Sequence, residues 1–115
     1  MDMQKRISAI MVAENLKAFL EDGNTRHSVN FPETVLERKR PHRIAIAHKN
    51  VPAMVAQILT SLAEEDINIA DLLNQSRDQI SYTIVDIDSP ASEETVKRIR
   101  NVSGILSARV MPIIE

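Results

Sequence analysis

Two kinds of hydrophobic spacing alternate along the chain, and their order sets the expected architecture. In the first segment Ile7, Ile10, Leu16, Phe19 and Leu20 recur at helical spacing, with Met11 and Ala13 filling the stripe. Gly23 follows, at the place where a left-handed cap ends a helix, so the pattern predicts an amphipathic helix over residues 4–22. One helix cannot bury its own stripe and needs a surface to pack on. Residues 24–42 carry no sustained period. They hold Pro32, Pro41 and the basic run Arg38-Lys39-Arg40, and read as a solvated linker. From His42 the spacing becomes that of a strand, with Ile44 and Ile46 on one face of "RIAIA".

A helix follows, because Val51, Val55, Ile58 and Leu62 share one helical face. Pro52 suits a first helical turn, and Asn50 just before it is a good N-cap type. "INIADLLNQS" is extended, and "ISYTIVDID" has apolar residues on both faces, as a central strand does. In "SPASEETVKRIRNVSG" the acids Glu93 and Glu94 precede the bases Lys97, Arg98 and Arg100, an order that matches a helix dipole. Val96, Ile99 and Ser103 mark its inward face, and Leu106, Ala108 and Val110 alternate on one side of a last strand. The order strand, helix, strand, strand, helix, strand predicts an α+β fold, a four-stranded antiparallel sheet with both helices on one face. Right-handed crossovers make it the ferredoxin-like βαββαβ topology, with the first and third strands central. The other face and the edge strands then need partners or polar cover, and self-association is expected.

Composition removes several functions. A chain of 115 residues suits one small domain. Its formal charge of -2 gives no push toward nucleic acid or a membrane surface. No apolar run approaches the ~20 residues of a membrane span. Cysteine is absent, which removes disulfides and thiolate zinc sites and is compatible with a cytoplasmic location. Only Gly23 and Gly104 occur, so neither a dinucleotide-binding glycine fingerprint nor a phosphate-binding P-loop can be written. His27, His42 and His48 lack metal-ligand spacing, and Ser28, Ser76 and Ser81 lack a nucleophile-elbow context. Asp86 and Asp88 share a strand face without further ligands and read as solvated carboxylates. An RNA-binding domain of this topology needs aromatic residues on its open face, and the chain has only Phe19, Phe31 and Tyr82.

The turn "HKNVPA" is the remaining candidate for chemistry. It leads from a strand into a helix N-terminus, whose first N–H groups lack intrahelical acceptors and favour an anion such as a carboxylate. Asn50 either caps the helix or offers its amide to a ligand, and His48 can donate or accept. Each alone has an ordinary reading, Asn50 as a cap, Asn68 as a turn residue and His48 as a surface histidine. Asn68 follows the far end of the same helix, at the opposite end of the sheet from Asn50. Two copies joined by sheet edges would bring Asn68 of one toward the turn of the other, where its carbonyl could accept an ammonium group. A small amino acid is the simplest ligand for such a site.

The run from "HRIAIAHKNVP" through "INIADLLNQS" to "TIVDID" resembles an ACT domain, the small-molecule regulatory module of amino-acid metabolism. More narrowly it is similar to the C-terminal regulatory domain of D-3-phosphoglycerate dehydrogenases, and "MVAENLKAFLEDGN" followed by "SVNFP" resembles the last helix and exit linker of their catalytic region. The resemblance implies residues 1–41 as that helix and linker, and 42–115 as the ACT domain. It implies no active site and no cofactor in this chain, with NAD used by a cytoplasmic parent enzyme. It further implies a homodimer, through the edge strand "INIADLLNQS" or the neighbouring helix, with L-serine bound across the pair. The matching effector positions are His48, Asn50, Val51, Pro52 and Ala53 of one subunit and Asn68 of the other. The family commonly has Gly where this chain has Ala53 and Asp66. An assembly module that has lost its effector is the alternative reading.

Overall fold

The computed structural model describes residues 17–25 and 31–113. Residues 17–22 are helical (α1) and end at Gly23, whose φ of 74° is the left-handed cap expected there. The part of this helix expected over residues 4–16 lies outside the described residues. The elements that follow are β1 (His42–Lys49), α2 (Met54–Glu64), β2 (Ile69–Arg77), β3 (Ile80–Ile87), α3 (Glu93–Arg100) and β4 (Ile105–Val110). The sheet is antiparallel in the order β2-β3-β1-β4, so β1 and β3 are central as the topology predicts.

Strand alternation divides the core in two. On the helix side Ile44 and Ile46 of β1 and Val85 and Ile87 of β3 pack with Ile58 and Leu62 of α2 and Val96 and Ile99 of α3. Of the stripe expected on α2, Ile58 and Leu62 are buried, Val55 is half-buried, and Val51 lies before the helix and is 48% exposed, its place in the core being taken by Met54. α3 is capped by Ser92, whose hydroxyl accepts from the Thr95 amide at 3.2 Å. It ends at Arg100, and Ser103, expected on its inward face, is exposed. Of the alternating trio on β4 only Ala108 is buried. Leu106 and Val110 are 52% and 47% exposed because they stand on an edge strand whose pairing with β1 is interrupted by a bulge.

The second core overturns the expectation of a solvated linker. Ala45 and Ala47 of β1, Tyr82 and Ile84 of β3 and Met111 are covered by Phe19, Phe31 and Leu36. The Phe19 and Phe31 rings stack with centroids 6.3 Å apart, and Arg109 lies 4.1 Å over Phe19. Thr25 and Thr34 are buried and form an antiparallel bridge, with N···O distances of 2.8 and 2.9 Å. Arg38, from the basic run, is spent on structure. It donates to the carbonyls of Glu21, Arg40, Pro41 and Pro112 and pairs with Asp22 at 3.3 Å.

Asp86 is the second correction. It is not solvated but 2% exposed, because Arg43 faces it across the β1–β3 ladder. The pair is bidentate, with Nε–Oδ1 at 2.5 Å and Nη2–Oδ2 at 3.0 Å. The remaining donors of Arg43 reach the carbonyls of Asp22, Leu36 and Glu37 at 3.0, 2.9 and 3.2 Å. A buried guanidinium is tolerable only when its N–H groups are satisfied, and here the covering segment supplies the acceptors. Asp88 is the one that stays half exposed, 3.7 Å from Arg40.

Candidate effector site at the β1–α2 turn

The turn is held at both ends by the backbone. Lys49 N donates to Gly104 O and Asn50 N to Gln79 O, each at 2.9 Å. Asn50 is not the helix cap. Its Nδ2 donates to Asp78 O at 3.1 Å, tying the turn to the β2–β3 hairpin. The cap position falls three residues later, at Ala53, which makes no side-chain cap bond and sits at φ 70°. The reason is local. Val51 and Pro52 extend the turn before the helix closes, and Gln57 N bonding to Ala53 O at 3.0 Å is its first closure. The amides of the first turn of α2 thus lack intrahelical acceptors, and no acidic side chain stands among them. Asn50, Val51, Pro52 and Ala53 are all exposed around that end. A groove of about 330 Å³ opens beside them, between Lys49, Asn50 and Val51, the hairpin at Asp78, and Leu106. A larger hollow of about 550 Å³ between α3 and β4 holds none of these residues.

His48 is placed differently from a surface histidine. It is 2% exposed on the helix-facing side of β1. Its Nδ1 is 3.0 Å from Lys49 O and its Nε2 is 2.7 Å from Thr83 Oγ1. Thr83 in turn lies 2.7 Å from Asn74 Oδ1. Thr83 and Asn74 were not among the residues expected at the site. The signal available for them is the polar pair Ser81 and Thr83 at helix-facing positions of a buried central strand. Asn68 is exposed, and its backbone carbonyl accepts from Asp88 N at 3.1 Å. That contact fixes it at the β1 start, so in one subunit it is separated from Asn50 by the length of β1, roughly 23 Å. The structure therefore gathers His48, Asn50, Val51, Pro52 and Ala53 at one end of the sheet and Asn68 at the other. Among the described residues no three His, Asp or Glu side chains form a metal-binding group.

Ala53 and Asp66 both have positive φ, 70° and 57°. An L-residue there is strained by roughly 1–2 kcal/mol, and glycine is not. Ala53→Gly should therefore raise the unfolding free energy by about 1 kcal/mol after its own chain-entropy penalty, read as a higher urea midpoint with an unchanged slope.

The four-stranded antiparallel sheet with two helices on one face is the fold of ACT domains. The ACT domain from the GTP pyrophosphokinase of Chlorobium tepidum superposes on 61% of this chain and 95% of its own, with a TM-score of 0.53 and 19% identity. The regulatory subunit of aspartate kinase from Thermus thermophilus covers 64% of this chain and 51% of its own at the same TM-score and 15% identity. The sequence narrows this. It is 35% identical over 101 residues to the D-3-phosphoglycerate dehydrogenase of Dictyostelium discoideum, and 29% identical over 102 residues to that of Escherichia coli K12. These matches cover 87% of this chain and fall in the C-terminal region of the relatives. The matched region is 24% and 25% of the two relatives, so the chain spans about a quarter of their length. No family model matches it.

Proposed function

We propose that this chain is the regulatory domain of a cytoplasmic D-3-phosphoglycerate dehydrogenase, and that it binds a small amino acid, L-serine, across a pair of copies. NAD-dependent oxidation of 3-phosphoglycerate then belongs to parts of the parent outside this chain. The observation that carries the reading is the placement of Asn50 and Asn68 at opposite ends of a sheet whose edge strand β2 pairs with no second strand beyond β3 among the described residues. A two-fold antiparallel pairing of β2 strands centred on Leu73 sets Asn68 of one copy opposite Asp78 of the other. Asp78 is the residue whose carbonyl holds Asn50. The effector carboxylate would then meet Asn50 and the first amides of α2, and its ammonium the side-chain Oδ1 of Asn68 of the second copy.

The choice of edge has its own support. On β4 the carbonyl of Ala108 already receives Nε and Nη2 of Arg100, at 3.1 and 2.8 Å, which blunts that edge. On β2 the comparable contact is local, the Asp71 carboxylate on the Leu72 amide at 2.9 Å, and a rotamer change releases it. His48, with both ring nitrogens engaged, acts by shaping the turn rather than by touching the ligand.

Asn68→Ala removes a hydrogen bond to a charged group, worth about 1.5–3 kcal/mol. Serine affinity in a calorimetric titration should fall roughly ten- to a hundred-fold while the dimer persists in sedimentation. The Ala53 methyl at the helix entrance favours one other reading, an assembly module that no longer takes an effector. It predicts a dimer with no serine heat, in wild type and in Ala53→Gly alike.

A further inference from the structure

Three hydrogen bonds form an unbroken chain across three strands, from Lys49 O through His48 and Thr83 to Asn74 on the edge strand β2. The chemistry of its members restricts how it can be wired. Lys49 O is a carbonyl and only accepts, so His48 Nδ1 carries a proton in every satisfied state. That leaves two arrangements. With Nε2 also protonated, His48 is an imidazolium. Thr83 then accepts from Nε2–H and passes its own hydroxyl proton to Asn74 Oδ1, 2.7 Å away. With Nε2 bare, Thr83 donates to it. The Thr83 oxygen then faces Asn74 as an acceptor, and the carboxamide must turn over to present Nδ2–H. Each arrangement satisfies every member, and a mixture of the two leaves a donor against a donor or an acceptor against an acceptor.

We propose that Thr83 and Asn74 are positioning residues of the β1–α2 turn, and that their chain with His48 is a two-state relay whose direction reverses when His48 gains or loses a proton. The relay links the turn, through β3, to a side chain of the edge strand β2. His48, Thr83 and Asn74 all lie on the helix-facing side of the sheet, where register and alternation put them together.

Among the described residues no charged side chain competes for His48. On β1, Lys49 alternates to the opposite face and His42 lies at the far end. Asp86 of β3 is on the opposite face, paired with Arg43, and Asp71 and Arg77 of β2 and Arg109 of β4 alternate to that face as well. The single charge of α2, Glu64, is at its far end with Arg98. On α3, Glu93, Glu94, Lys97 and Arg98 are exposed, and Arg100 is held on Ala108 O. The state of His48 is thus read chiefly through Thr83. A role for the relay in effector binding rests on the function proposed above, but the relay itself does not, and it is tested without ligand.

The test is a pH titration of the isotope-labelled chain by NMR across the range in which the fold persists. It follows the ring nitrogens of His48 together with the side-chain amide of Asn74. The expected result is that both move with one midpoint, with Nδ1 remaining protonated throughout. Thr83→Val should abolish the Asn74 response while His48 still titrates, and Thr83→Ser, which keeps the hydroxyl, should restore it. Asn74 signals that stay flat while His48 titrates in the wild type overturn the relay, whatever the variants do. So does a Thr83→Val chain in which Asn74 still follows His48, or a His48 ring that does not titrate at all. Loss of serine binding with an intact joint titration would instead count against the proposed function alone.

Discussion

Asp86→Ala should lower the unfolding free energy by about 3–5 kcal/mol, the usual penalty for stranding one member of a buried ion pair. Small domains have about 5–15 kcal/mol in total, so this variant is at the edge of folding. The attraction between Arg43 and Asp86 is not the reason, since burying the pair costs much of what it gains. The reason is what remains. Arg43 is fully buried, and without Asp86 its Nε and one Nη2 proton have no acceptor. The double variant Arg43→Met/Asp86→Leu separates the two explanations. It removes the charge along with its partner and should recover much of the loss. Urea unfolding of both variants checks this. A single variant within 1 kcal/mol of wild type, as a solvated carboxylate would give, contradicts the account.

Gly23→Val should strike at the covering segment in a similarly direct way. Gly23 has φ 74°, and a Cβ added there would lie 2.8 Å from Ala45 Cβ and 3.2 Å from Met111 Sδ. Left-handed strain and overpacking together amount to about 2–5 kcal/mol. The helix side of the sheet does not touch this contact, so the expected result is release of residues 17–25 and 31–36 from the sheet with the ferredoxin-like core retained.

Tyr82 reports on it without labelling, because it is the single tyrosine of a chain with no tryptophan. Burial beneath the Phe31 ring raises its pKa above the ordinary 10.0, and Arg109 nearby pulls in the opposite direction less strongly. Its hydroxyl, only 3.6 Å from the position of an added Gly23 Cβ, has no hydrogen-bond partner among the described residues. The native state therefore keeps a proton that the unfolded chain releases above pH 10. This stabilising contribution is whole below that pH and declines as pH rises through the native pKa. Absorbance titration should place the Tyr82 midpoint above 10.0 in wild type and move it toward 10.0 in Gly23→Val. An unchanged midpoint would mean the segment does not depend on Gly23.

The helix-side half of this fold is legible in the sequence because it obeys two simple periods. Ile44, Ile46, Ile58, Leu62, Val96 and Ile99 are identified by spacing alone, and spacing alone is what buries them. The other half is not legible, because its logic is pairwise. Nothing in "RPHRIAIA" distinguishes Arg43, which is buried, from Arg40, which is 55% exposed, until the register sets Asp86 opposite Arg43. The same holds for the relay, since Thr83 and Asn74 meet His48 only across the ladder. At the turn, residue type misleads. Asn50 is a favourable cap by preference, yet the helix starts after Ala53, an unfavourable residue in an unfavourable backbone conformation. The two positions where the sequence resemblance leads to an expectation of glycine, Ala53 and Asp66, are both in the left-handed region. Their departure is a matter of strain within an unchanged trace rather than of a different path.

The central claim is that the effector site is shared, with Asn50 from one copy and Asn68 from the other. Mixing purified Asn50→Ala and Asn68→Ala chains, and titrating the re-equilibrated mixture with L-serine in a calorimeter, tests it most directly. Each variant alone should bind weakly or not at all. Each mixed dimer should hold one intact site, with Asn50 supplied by the Asn68→Ala copy and Asn68 by the Asn50→Ala copy, so the mixture regains wild-type affinity at reduced stoichiometry. A mixture that binds no better than its parents, from dimers shown to have exchanged subunits, contradicts the shared site.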